Sequence, residues 1–112
     1  MIPSVRLGDG SIREQPGSYG VVKSGEIVGS VTALQLPNVP CCMVRFQAPA
    51  GNSGSHYIGG AGVTIPNGTA DATSGLEIPK GASTDWIPVS NLNVLYIISA
   101  HATDTLTYLA LA

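Results

Sequence analysis

Hydrophobic and polar positions along this chain change too quickly for helices. The clearest pattern lies in the last stretch, Asn91 to Ala112. Val94 to Ile98 is an unbroken apolar run rich in β-branched and aromatic residues, too short for a globular helix and bounded by Asn93 and Ser99. Such a run predicts a central strand buried on both faces. Beyond it, Thr105 and Thr107 alternate with Leu106 and Tyr108 at strand period, and His101 to Asp104 forms a polar connection of hairpin length. The pattern predicts a C-terminal β-hairpin with the earlier segments packed over it as a covering sheet.

Upstream, Val21-Val22-Lys23 and the run from Gly25 to Leu36 read as a strand pair turning at Ser24-Gly25, and glycines at 25 and 29 argue against a helix there. Pro37 to Pro40 is a turn. The next strand, Cys41 to Ala48, sets Cys42, Val44, Phe46 and Ala48 on its apolar face and Arg45 outward. After a breaker-rich loop, Pro49 to Ser55, His56 to Gly60 and Gly62 to Ile65 are strand pieces bent at glycines. Pro66 to Gly75 is turn-rich, with Asn67-Gly68 as its strongest signal, and Leu76 to Pro79 is a short strand. Lys80 to Thr84 is a loop, Asp85 to Val89 enters the final pair, and Pro79 and Pro88 belong at edges or strand ends. Short strands at close spacing, with 14 Gly and 8 Pro, predict an all-β fold. A small β-sandwich fits, with the jelly roll as one form of it.

Residues 1–20 break this pattern. Pro3, Gly8, Gly10, Pro16 and Gly17 interrupt apolar residues that keep no period. The chain therefore divides into an extended N-terminal arm, 1–20, and a β-sandwich domain, 21–112. Ile2, Val5, Leu7, Ile12 and Tyr19 make the arm more apolar than a solvated tail, and Arg6 and Arg13 add charge. These seven residues are the candidate contacts with a neighbouring subunit, against which the arm would order.

Composition narrows the role. The chain has 112 residues, enough for one domain, and only 11% are charged against 44% hydrophobic, where soluble domains carry roughly 25% charged residues. Scarce charge suits a surface that packs against other protein, because interface cores are depleted in it. Net charge is −2, and the five basic residues, Arg6, Arg13, Lys23, Arg45 and Lys80, stand singly. No basic stripe exists to neutralise phosphates, so direct nucleic-acid binding is not expected. No apolar run approaches the length of a membrane span and Met1 to Arg6 lacks a signal-peptide block, so a soluble chain without an export signal is expected. Cys41 and Cys42 are adjacent, which on a strand turns them to opposite faces. Two free, largely buried thiols are expected, in keeping with a reducing cytoplasm.

Candidate chemistry is sparse. Gly60-Ala61-Gly62 is followed by Ile65 where a dinucleotide fingerprint needs glycine, and neither a P-loop nor a Gly-x-Ser-x-Gly elbow occurs. His56 and His101, with Asp104 or Asp71, could in principle supply a metal or acid–base site, but no spacing gathers them, and surface or interface histidines are expected. Trp86 and Tyr57 could form a sugar-stacking platform. The preferred reading makes them anchors in the core or at a subunit contact. Asn67-Gly68-Thr69 fits a glycosylation sequon, which has meaning only in a chain exported from a eukaryotic cell. No enzyme, cofactor or metal site is expected.

Four segments carry a resemblance: Val44-Arg45-Phe46-Gln47-Ala48-Pro49, Asn52 with Tyr57-Ile58-Gly59, Leu76 to Gly81, and Asn91-Leu92-Asn93-Val94-Leu95-Tyr96-Ile97. With them, the region from Val44 to Leu111 resembles small structural proteins of tailed bacteriophages that decorate or cement the capsid or form minor virion parts. The resemblance implies a β-sandwich on the capsid exterior, assembled in the host cytoplasm and carrying no catalytic residues. It would clamp neighbouring subunits of the major capsid protein and associate with itself as a homotrimer, with a dimer as the rival. The alternative is a head- or tail-fibre module that binds a host-surface glycan.

Overall fold

The inner strands turn every second residue toward the core, and this period makes two sheets stack face to face. The computed structural model describes residues 4–6, 12–14 and 20–112. Strands β1 (Ser4–Arg6) and β2 (Ile12–Glu14) pair with each other and join neither of the other sheets. The body is built from β3 (Val22–Val28), β4 (Leu34–Gln35), β5 (Met43–Gln47), β6 (His56–Gly59), β7 (Leu76–Ile78), β8 (Tyr96–Ser99) and β9 (Thr105–Leu111), with a 3₁₀ turn at Leu92–Val94. One sheet has the order β3-β9-β5 and the other β4-β8-β6-β7, every pair antiparallel.

Segment 82–89 lies beside β5 through the bridges Val44↔Ile87 and Gln47↔Ser83 and takes the place of a fourth strand in the first sheet. Its ladder is irregular, so the Thr84 hydroxyl accepts the Phe46 N–H at 3.0 Å where a backbone carbonyl would otherwise stand. From β3 onward, every connection crosses between the two sheets except that from β6 to β7. Two four-membered layers joined in this way are the jelly-roll form of the β-sandwich.

The core follows the strand period. Val44, Phe46 and Ala48 from β5 and its extension meet Leu106 and Ala110 of β9, and Ile58, Ile78 and Ile97 face them from the second sheet. Leu36 and Leu92 close the ends. Arg45 points outward, and β9 turns Leu106 and Ala110 inward as its alternation predicts.

Three expectations are corrected. The final pair of strands is not a hairpin: β8 and β9 are central strands of different sheets, and the connection between them crosses the sandwich. Both sheets need an apolar middle strand, and these two runs supply one each. The run from Val94 to Ile98 is not buried on both faces. Val94 ends the 3₁₀ turn and is 51% exposed, and within β8 only Ile97 and Ser99 are buried. Ser24-Gly25 is not a turn either, because β3 runs through it in unbroken register with β9. Gly25 stands opposite Tyr108, whose ring lies 2.7 Å from where a Cβ would be. The glycine makes room for that ring.

Candidate functional site

The period that buries Ile58 also buries His56 two residues earlier, and the period that buries Ile97 also buries Ser99. The register of β6 and β8 pairs His56 directly with Ser99. Both are fully buried, contrary to the expectation of a surface or interface histidine. His56 Nε2 lies 2.8 Å from the Thr105 carbonyl, which can only accept, so Nε2 carries the proton and donates. Nδ1 then accepts from the Ser99 hydroxyl at 2.7 Å. Ser99 Oγ in turn receives the Ser30 N–H at 3.3 Å.

Two loop residues complete the cluster. The Asn52 side chain acts as a short piece of strand toward Thr105, donating from Nδ2 to its carbonyl at 2.8 Å and accepting its N–H at 3.2 Å. Asp104, 5% exposed, accepts the N–H groups of Ser53 at 2.8 Å and Gly54 at 2.9 Å with its two carboxylate oxygens. The Ser53 N–H bond is the largest cause holding its carboxyl below the usual aspartate range, helped by the Gly54 N–H and the nearby imidazoles of His101 and His56, against the cost of burial. Among the described residues, no buried side-chain nitrogen or oxygen lacks a partner.

A serine donating to a histidine is the geometry of an activated nucleophile. Here the hydroxyl is fully buried and the histidine's other nitrogen is tied to backbone. What the arrangement does physically is fasten loop 49–55 and the β8–β9 crossover to the core. Asp104 belongs to it and Asp71 does not. Asp71 lies on an exposed turn, its carboxyl lowered mainly by the Thr73 N–H and then by the Thr73 hydroxyl. His101 is exposed, and no metal-holding group of His, Cys, Asp and Glu occurs among the described residues.

Two shallow hollows open on the surface. One, of about 360 Å³, lies over β5 and β9 and is lined by Arg45, Gln47, Ser83, Thr107 and Leu109. The other, of about 320 Å³, follows β7 and segment 82–89, with Glu77 and Asp85 among its walls. Neither sets a hydroxyl beside a histidine.

The remaining expectations divide. Cys41 and Cys42 are free and face opposite ways, but only Cys41 is buried, its thiol donating to the Val89 carbonyl at 3.3 Å. Burial is the main cause raising its pKa, with Cys42 adding to the rise and Lys23 opposing it. Cys42 is exposed because the β5 alternation begins only at Met43, so it is not part of the apolar face. Trp86 is 39% exposed rather than a core anchor, and it sits in the first sheet while Tyr57 sits in the second. The structure therefore does not bring the two aromatics together. Of the arm residues, Val5 and Arg6 fall on β1 and Ile12 and Arg13 on β2. Ile2, Leu7 and Tyr19 lie outside the described residues.

The outer face of the first sheet carries exposed apolar side chains, as does β7 of the second, where Leu76 is 69% exposed. The register of the first sheet sets Val22, Leu111 and Met43 in one row across β3, β9 and β5, with Ser24, Leu109 and Arg45 in the next row on the same face. Val22 is 64% and Leu109 39% exposed. No family model matches this chain, and no curated protein or solved structure matches it.

Proposed function

We propose that this chain is a non-catalytic structural protein of a tailed-phage virion, a decoration or cement protein that binds the outer capsid surface and clamps neighbouring subunits of the major capsid protein. The observation that carries this reading is the outer face of the first sheet, where Val22, Met43, Leu109 and Leu111 stand together with Arg45 as the only charge in their two rows. Apolar side chains contiguous on a rigid sheet gain free energy when covered by protein, at roughly 25 cal/mol per Å² of apolar surface. The resemblance of Val44 to Leu111 to phage structural proteins supplies the partner, and the jelly roll supplies a rigid body whose loops need not move when it docks.

A clip of this kind works by adding area across joints. A standard interface buries roughly 1,600 Å² in total, and repetition over a closed shell turns a modest affinity into large mechanical resistance. The test is to add purified chain to capsids assembled without it, separate bound from free by sedimentation, and measure shell survival on heating. The reading predicts saturable binding, a raised disruption temperature, and loss of both in Leu109→Glu, which leaves the circular dichroism spectrum unchanged. No binding, or binding that leaves shell survival unaltered, would overturn it.

A further inference from the structure

Sheet edges expose unpaired backbone groups, and three of the four edges of the sandwich are cut short. β4 has two residues and is soon followed by Pro37, β7 has three and is followed by Pro79, and segment 82–89 contains Pro88 and meets β5 only through isolated bridges. Short strands and prolines are ordinary means of blunting an edge. β3 has neither. It holds seven residues in continuous register, from Val22↔Leu111 to Val28↔Thr105, without proline or bulge.

The bonds to β9 fix which groups face the open side. Val21 exchanges both backbone bonds with Ala112, at 3.1 and 2.9 Å, and the Gly29 N–H donates to the Asp104 carbonyl at 2.7 Å. The odd-numbered residues therefore point toward β9. Val22, Ser24, Glu26 and Val28 turn their N–H and C=O groups outward, where no other strand among the described residues meets them.

We propose that this edge pairs with the same edge of a second copy of the chain, antiparallel, about a two-fold axis through Gly25. The strand is complementary to itself in that register. Val22 falls opposite Val28 of the second copy and Ser24 opposite Glu26, so the residues with free groups meet one another and exchange both bonds of each pair. Val22 and Val28 are 64% and 63% exposed, and the pairing covers all four valines against each other. No like charges fall directly opposite, and Glu26 meets a serine hydroxyl. Gly25 lies on the axis, with the half-buried Tyr108 ring across it. The contact is isologous and closes as a dimer, not as a three-fold ring. It does not depend on the virion reading.

An edge of seven residues buries less than a standard interface, so association in the micromolar range is expected. Sedimentation equilibrium of the full chain across that range should show a monomer–dimer equilibrium. Amide exchange should show Val22, Ser24, Glu26 and Val28 protected at high concentration and open on dilution, while Lys23, Gly25 and Ile27 stay protected throughout. Ser24→Pro removes an N–H that faces away from β9, and should weaken association about tenfold or more without changing the fold. A monomer at every concentration, a trimer, or an oligomer in which the four even-numbered amides exchange freely would overturn the proposal, whether or not the proline variant folds. A Ser24→Pro variant that folds and still dimerises with wild-type affinity would do the same.

Discussion

Ser99 shows how much one buried hydroxyl can hold. It satisfies the fully buried His56 Nδ1 and the N–H of the half-buried Ser30 at once. Ser99→Ala leaves the buried His56 Nδ1 unpaired, and a buried polar group without a partner costs about 1–3 kcal/mol. A urea titration should show a lower midpoint with an unchanged slope, the shift multiplied by the slope giving that loss. Asp104 gives the cluster its pH dependence. Its folded pKa lies below the unfolded one, which is about 3.9, so its stabilisation is present above that value and is lost as pH falls through the lowered folded value. Chemical denaturation at neutral pH and at successively lower pH should show a steep acid loss that Asp104→Asn reduces. Some acid sensitivity should remain in the variant from Asp71, whose carboxyl is also lowered. Equal acid sensitivity in the two proteins would remove Asp104 from the account.

At the scale of elements, two glycines decide how β3 and its neighbours meet. A Cβ on Gly25 would contact the far end of the Tyr108 ring at 2.7 Å, which a rotation of that ring can relieve. A Cβ on Gly29 would lie 2.6 Å from Ser99 Oγ and 2.9 Å from the Asp104 carbonyl, which is backbone and cannot swing away. Gly29→Ala should therefore destabilise more than Gly25→Ala, by about 1–3 kcal/mol from overpacking, as thermal unfolding of the two variants would show. These close approaches also explain what the amino-acid pattern left hidden. Glycine in a strand reads as a turn or a bend, and Ser24-Gly25 was expected to turn, yet only the ring of Tyr108, distant in sequence, reveals why glycine is there. The strands at 43–47, 56–59, 76–78 and 105–111, the inward set Val44, Phe46 and Ala48, and the outward Arg45 were legible because period alone fixes them, whereas Gly62 to Ile65 and Asp85 to Val89 make only isolated bridges. The pairing of β8 and β9 was not, since a short polar connection serves a hairpin and a crossover equally well. The polar cluster could have been found: His56 shares parity with Ile58, and Ser99 with Ile97. Polarity alone puts both histidines on the surface, which holds for His101 and fails for His56, whose place in the alternation buries it.

At the scale of the whole molecule, the jelly roll joins a polar cluster that locks the crossover to an apolar outer row available for covering. Both properties suit a body that must stay rigid while bound to a shell. The apolar row centred on β9 and the open β3 edge adjoin and share Val22, one proposed to face the capsid and the other a second copy. Leu109→Glu should abolish shell binding while leaving self-association intact, and Ser24→Pro should do the reverse to first order. The central claim is position on a particle. The most direct measurement is a cryo-electron microscopy reconstruction of phage particles that contain this chain. The account predicts two-layered β density on the outer capsid surface, bridging adjacent capsid subunits, with the β5–β9 face against the shell. Particles whose capsid exterior carries no such density, with the chain found instead in the unassembled fraction or away from the shell, would contradict it.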